Sequence, residues 1–265
     1  MERVAEYYDW LFNEVADPRV KDWAFMGSPI YPLAITIIYL FFVLVAGPRY
    51  MKNRPAYSLN TFTFYYNIFQ VIACFVIAWG VVTSGWTTTD NWRCWPVDYS
   101  DSPLGMKMLT FAWLTTWIKL IEYVETIVFV LRKKDRQISF LHLYHHVSTL
   151  WVSWGVTKFQ GGGSITFPII PNCIVHIVMY TYYLLTINKN PRVQNFLKKI
   201  KPYITIMQMV QFCIIIFMIA QVLLPDCSIP PYFTYAFLPN ILLIFYLFYD
   251  FYNKNFVKPQ VQKVK

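Results

Sequence analysis

Seven apolar runs, at about 30–46, 62–82, 109–131, 140–156, 165–187, 203–224 and 232–252, occupy most of this 265-residue chain. A helix needs roughly 20 residues to cross the hydrocarbon of a bilayer. Within lipid, each backbone polar group must find its partner inside the protein, which favours helices. The runs therefore predict an all-α, polytopic membrane protein of seven transmembrane helices and rule out a soluble globular domain. Composition agrees, at 57% hydrophobic, 20% aromatic and 14% charged residues. The first run is short, and polar groups interrupt the fourth and fifth. No internal repeat or linker divides the chain, so residues 1–265 read as a single membrane domain. Residues 1–29 form a leading segment with Glu2, Glu6, Asp9, Glu14, Asp17 and Asp22. It lacks the basic start and apolar core of a signal peptide.

A net charge of +9 resembles a nucleic-acid footprint until the cations are sorted by loop. Connections after odd-numbered runs hold Arg49, Lys52 and Arg54, then Arg132, Lys133, Lys134 and Arg136, then Lys189, Arg192, Lys198, Lys199 and Lys201. The tail at 253–265 adds Lys254, Lys258, Lys263 and Lys265. The opposite side has only Arg3, Arg19, Lys21, Arg93, Lys107 and Lys158. Positive-inside bias then puts the N-terminus outside the cytosol and the C-terminus in it, and no nucleic-acid partner is expected. These basic loops are either topology signals attracted to anionic lipid or a landing surface for a polyanionic substrate. Of five cysteines, Cys74, Cys173 and Cys213 fall within runs. Cys94 and Cys227 fall in non-cytosolic loops, where a disulfide is allowed and two free thiols are the alternative.

The ionisable residues inside the runs carry the chemistry, because a charge in lipid costs several kcal/mol and marks a functional candidate. Lys119, Glu122 and Glu125 recur every third residue near the cytosolic end of the third run, with Thr126 four beyond Glu122. His142, His145 and His146 form an i, i+3, i+4 stripe at the start of the fourth. With a rise of about 1.5 Å per residue, Glu125 and His145 lie roughly 9 and 8 Å from their cytosolic helix ends. His176 is deeper, followed by Met179, Tyr180 and Tyr183, while Gln208 and Gln211 enter from the cytosolic side of the sixth run. Each has a structural alternative. Lys119 with Glu122 can be an ion pair only, the glutamines interhelical glue, and the tyrosines packing. Three histidines on one stripe are the strongest signal. A di-iron histidine cage needs many more histidines than the four present, whereas a mononuclear site of three or four ligands does not. Without metal, imidazole serves as nucleophile or general base near neutral pH.

These residues resemble the ELO family of very-long-chain fatty acid elongases, condensing enzymes that act as 3-oxoacyl-CoA synthases. The family's KxxExxDT motif appears as Lys119, Glu122 and Glu125-Thr126, and its HxxHH box as His142, His145 and His146. NxxxHxxMYxYY is Asn172, His176, Met179, Tyr180, Tyr182 and Tyr183, and TxxQxxQ is Thr205, Gln208 and Gln211. One departure stands out: Glu125 occupies the place of the family's aspartate, keeping the carboxylate on a longer stem.

The resemblance implies six helices in a barrel around a closed-ended acyl tunnel, with the remaining helix outside, in the endoplasmic reticulum membrane. It implies condensation of an acyl-CoA with malonyl-CoA, without further cofactor or metal. His145 would take the acyl group with His176 opposite. His142, His146 and Glu125 would orient and deprotonate it, with Glu122 and Lys119 also among the catalytic residues, and Gln211, Asn172 or a histidine N–H would stabilise the developing oxyanion or enolate. A ternary mechanism with His145 as base or polariser is the alternative. Gln208, Tyr180, Tyr183 and the basic residues at 132–136 and 198–201 would contact substrate. Reductases and a dehydratase of an elongation cycle are the expected partners beside the bilayer, and the residues leave a homo-oligomer open. Two other classes compete, a metal-dependent membrane lipid enzyme and a seven-span receptor. Against the receptor, no charge lines a ligand cup near the outer face.

Overall fold

The computed structural model describes residues 2–89, 92–227 and 229–257, and these are helical with no strand. Lys258, Lys263 and Lys265 of the basic tail lie outside the described residues. A short α1 (Glu2–Asp9) precedes α2 (Ile30–Phe41), which continues through a π turn (Phe42–Ala46) into α3 (Gly47–Met51). The order then runs α4 (Asn60–Val81), α5 (Pro103–Ile121), α6 (Tyr123–Leu131) and α7 (Phe140–Gln160). It closes with α8 (Ile169–Thr186), α9 (Pro191–Ala220) and α10 (Tyr232–Tyr252).

Helix starts follow local chemistry. Ser102, Ser139 and Asn190 cap α5, α7 and α9, accepting from the amides of Gly105, His142 and Arg192. Pro103 and Pro191 sit at the first turn, where no backbone donor is lost. Pro168 immediately precedes α8, whose first residue is Ile169, and Pro171 sits in its first turn, where no intrahelical donor is lost. Pro202 lies inside α9, because the Asn190 cap starts that helix well upstream. Pro202 costs the helix a backbone hydrogen bond without ending it.

Five helices among the described residues are long and apolar enough to cross a membrane: Ile30–Met51, Asn60–Trp86, Gly163–Thr186, Pro191–Leu223 and Tyr232–Val257. Between 17% and 44% of their most apolar windows is buried, so most of each faces outward, as apolar helices do only in lipid. The protein is an all-helical, multi-pass membrane protein. The expected runs 109–131 and 140–156 are helical too, but they are not among the five. The first breaks at Glu122 into α5 and α6, and the second carries the histidines.

The residues cluster into two units. One contains Met1–Leu59 with Val76–Ile170, the other Asn60–Phe75 with Pro171–Lys265. In the first, Tyr39, Val43, Met51, Tyr123, Val130 and Leu150 form one apolar cluster. A second gathers Val20, Met26, Leu109 and Trp154. There the indoles of Trp113 and Trp154 donate to the carbonyls of Ala24 and Phe25 at 2.9 and 3.0 Å, tying the segment before α2 to α5 and α7.

The far end of the first unit is knitted by polar contacts. Arg19 donates to both carboxylate oxygens of Asp17 and to the carbonyls of Asp98 and Ser100. The Asp17 amide donates to the Lys158 carbonyl at 2.9 Å. Asp98 accepts from Ser100 and Ser102, and these bonds hold its carboxyl below the usual carboxylate range, with Arg19 adding to the effect. Gly163 has φ +56, and a Cβ there would strike the carbonyls of Trp95 and Pro96, so the turn after α7 requires glycine.

In the second unit α9 packs along α10, with Phe212 against Phe248 at 5.2 Å. Tyr66 of α4 meets Tyr180 of α8 edge to face at 6.1 Å. Cys94 and Cys227 are disulfide-bonded, whereas Cys74, Cys173 and Cys213 are in no disulfide.

Candidate functional site

The first unit brings both ionisable motifs together. At Glu122 one helix becomes two: its amide still bonds the Ile118 carbonyl, while its own carbonyl accepts the Glu125 amide in a tighter i, i+3 bond. This junction sets three charged side chains inward. Lys119 is 5% exposed, Glu122 0% and Glu125 8%. The Lys119 ammonium donates to Glu122 Oε1 at 2.8 Å. Desolvating such a pair offsets most of its attraction, so a stability role alone does not account for it.

On α7, the helical stripe presents His142, His145 and His146 to that pair. His146 is buried between the carboxylates, with Nδ1 3.8 Å from Glu122 Oε2 and Nε2 4.0 Å from Glu125 Oε2. Its Nδ1 has no hydrogen-bond partner among the described residues. The His142 ring lies 4.3 Å from that of His146, and its Nε2 meets Thr126 Oγ1 at 2.8 Å. His145 stands perpendicular to His146 at 5.5 Å and is only half-buried. The result is a graded site. Lys119 fixes Glu122, the carboxylates flank His146, and His145 is the more accessible imidazole beside it. Among the described residues, no three His, Cys, Asp or Glu side chains converge as metal ligands.

Where α6 ends, Lys134 donates its amide to the Phe129 carbonyl and Lys133 to that of Val130. That pairing is a Schellman motif, with Lys133 at φ +52 in the position glycine usually holds. The closure turns Lys133, Lys134 and Arg136 outward to solvent and leaves Arg132 half-buried. Lys198, Lys199 and Lys201 are exposed along the start of α9.

The remaining motif residues belong to the second unit. His176 and Tyr180 are buried on α8 with rings 5.7 Å apart, and Tyr183 follows Tyr180 at 5.9 Å. Asn172 is half-buried one turn before His176. Gln208 Nε2 approaches Met179 Sδ at 3.8 Å, and Gln211 is buried with Oε1 unpartnered among the described residues.

Buried polar groups outside any motif occur in each unit by itself. In the second, Gln70 is fully buried and donates to Tyr66 at 2.8 Å, and buried Asn67 has an unpartnered Nδ2. Two amides three residues apart in an apolar run were the available signal. In the first, Thr36 and Tyr39 of α2 reach the hydroxyls of Tyr123 and Thr126.

A family model described as ELO, the GNS1/SUR4 family, matches residues 24–264. The chain belongs to the ELO family. Very long chain fatty acid elongase 1 of Mus musculus is 36% identical over 264 residues, covering 97% of this chain and 92% of that one. Very long chain fatty acid elongase 7 of Rattus norvegicus is 38% identical over 261 residues, with the same two coverages. A very long chain fatty acid elongase of Aedes aegypti is 38% identical over 260 residues, 97% of this chain and 72% of that one. Within the ELO chain described here, the lysine–carboxylate motif and the histidine box are one contiguous buried site.

Proposed function

We propose that this protein is a fatty acid elongase that condenses a long-chain or very-long-chain acyl-CoA with malonyl-CoA. The products are a 3-oxoacyl-CoA two carbons longer, CO2 and CoA. The observation that carries the reading is the half-buried His145 beside a lysine- and carboxylate-braced His146, in a chain that aligns with an elongase over 97% of its length.

In the mechanism, an imidazole nitrogen of His145 attacks the thioester carbonyl. The carbon–sulfur bond breaks, and the imidazole proton passes to the departing thiolate, releasing CoA. Malonyl-CoA then loses CO2, and its electron pair becomes the enolate without a strong base. The enolate carbon bonds to the acyl carbonyl and expels the imidazole, which regains a proton, so each turnover consumes one. Glu122 and Glu125 stabilise charge on the histidine pair, and Lys119 keeps Glu122 in place. His176, Asn172 and Gln211 serve the second half-reaction as donors to the enolate or oxyanion. Gln208, Tyr180 and Tyr183 line the acyl path, while the 132–136 and 198–201 cations hold CoA phosphates.

The same reading gives seven spans, six of them around an acyl tunnel. It gives an endoplasmic reticulum location with the N-terminus lumenal, a Cys94–Cys227 bridge at the closed end, and hand-over to the reductases and dehydratase of the cycle. Purified protein given acyl-CoA and labelled malonyl-CoA should release one CO2 per 3-oxoacyl-CoA formed. No labelled product across a series of acyl lengths would overturn the assignment. Elemental analysis of active protein tests the metal-dependent alternative, which requires a stoichiometric metal.

A further inference from the structure

The face of α2 that turns inward carries Pro32, Thr36, Tyr39 and Val43, while Ile37, Ile38 and Phe41 are more than half exposed. The two hydroxyls on that face, three residues apart, meet two hydroxyls three residues apart on α6. Thr36 Oγ1 lies 3.3 Å from the Tyr123 hydroxyl, and the Tyr39 hydroxyl donates to Thr126 Oγ1 at 2.8 Å. The Tyr39 and Tyr123 rings stack between these bonds, 3.9 Å apart and 16° from parallel. Only the second bond leads onward. Thr126 Oγ1 is 2.8 Å from His142 Nε2, so a chain of hydroxyls joins α2 to the histidine box.

The direction of that chain follows from counting protons. A threonine hydroxyl has one proton to give and two lone pairs to receive with. Tyr39 fills one lone pair. Other threonines of α5 and α7 spend their proton on their own helix: Thr115, Thr149 and Thr157 donate to carbonyls four residues back, those of Phe111, His145 and Ser153. Among the described residues, Thr126 makes no such bond. Its hydroxyl is turned toward Tyr39 and His142, leaving His142 Nε2 as the acceptor for its proton. An imidazole that accepts at Nε2 carries its proton on Nδ1, and which nitrogen is protonated is set by the bond the other makes.

The geometry points to Tyr39 as a positioning residue for condensation: acting through Thr126, it holds His142 in one ring orientation as the Nδ1–H tautomer. This rests on the elongase reading for its kinetic consequence but not for the tautomer. No motif contains Tyr39. An oriented His142 in turn fixes the ring of His146 4.3 Å away. Tyr39 touches no substrate in this scheme, so its loss should alter rate rather than binding.

The Tyr39→Phe variant deletes one oxygen and keeps the stacked ring. Its kcat should fall about 10-fold, the scale of one lost buried hydrogen bond, with KM for both CoA substrates within about 2-fold of wild type. Thr36→Val removes the neighbouring hydroxyl, which leads to no histidine, and should leave kcat unchanged. The double variant Tyr39→Phe/Thr126→Val should be no slower than Thr126→Val alone, because Tyr39 acts only through Thr126. Wild-type kcat in Tyr39→Phe, an equal loss in Thr36→Val, or additive losses in the double variant would each overturn the proposal.

The tautomer is read without turnover. Nitrogen-15 spectra of imidazole-labelled protein in bilayers, with His142 assigned by difference from His142→Gln, should show Nδ1–H in wild type and mixed tautomers in Tyr39→Phe. Protonation at Nε2 in wild type would overturn the proposal even in a fully active enzyme. If condensation itself is absent, that spectrum still decides the role of Tyr39.

Discussion

The first unit buries charge at two places, and the two are built differently. Around Asp17, both carboxylate oxygens accept from the same guanidinium, whose other nitrogen donates to two backbone carbonyls. Around Glu122, one carboxylate oxygen is held by Lys119, the other faces His146 at 3.8 Å, and His146 Nδ1 is left without a hydrogen bond among the described residues. A network whose donors and acceptors all match is already at its minimum and serves stability. One that is buried yet incompletely matched is costly to keep, and such cost concentrates where chemistry is done. Mutations should therefore separate the two places cleanly, one in rate and the other in melting temperature.

The largest separation is expected at His145. His145→Ala should lower condensation by at least about 10³-fold, with the thermal midpoint within a few degrees of wild type, since a half-buried ring leaves little cavity. Equal loss of midpoint and activity would mean that this end, too, is structural.

Glu125 gives the next largest effect. Glu125→Asp restores the family residue and keeps the charge near His146, so it should retain substantial activity. Glu125→Gln keeps the length but loses the charge, and most of the activity should go with it. Equal rates in all three proteins would reduce Glu125 to packing.

At the other network the pattern should invert. Arg19→Ala leaves the buried Asp17 carboxylate without its guanidinium, a loss of about 3 kcal/mol, read as a lower midpoint in thermal unfolding. Activity measured well below that midpoint should be near wild type. Asp98 supplies the smallest effect, and it depends on pH. Its folded-state pKa is depressed by Ser100, Ser102 and Arg19. Its stabilisation is therefore full above the ordinary carboxylate pKa of about 4. It disappears as pH falls through the lower, folded value. The midpoint should fall on acidification below about pH 4, and Asp98→Asn should flatten that slope while leaving the neutral-pH rate unchanged.

Much of this molecule was legible in its sequence, for physical reasons. Long apolar runs leave helices as the only economical solution, since each backbone polar group must find its partner inside the protein. The spacing of Lys119, Glu122 and Glu125 was visible, as was the histidine stripe, because both periodicities belong to single helices. The break at Glu122 was not, since no glycine or proline marks it in the sequence. Tyr39 was hidden for the same reason. One tyrosine in an apolar run is ordinary, and only tertiary packing brings its hydroxyl to Thr126. Asn67 and Gln70 were visible as polar residues, but their burial depends on neighbours the sequence does not display. Arg19 reads as a loop charge until the fold delivers the Asp98 and Ser100 carbonyls to it.

Transfer of the acyl group to the histidine end is tested most directly by mass. Protein incubated with acyl-CoA alone should release one equivalent of CoA and gain the mass of one acyl group, with peptide mapping placing it on His145. Adding malonyl-CoA should discharge the adduct as 3-oxoacyl-CoA. Full turnover with no CoA release before malonyl-CoA arrives, and no acylated His145 under any condition, would contradict it.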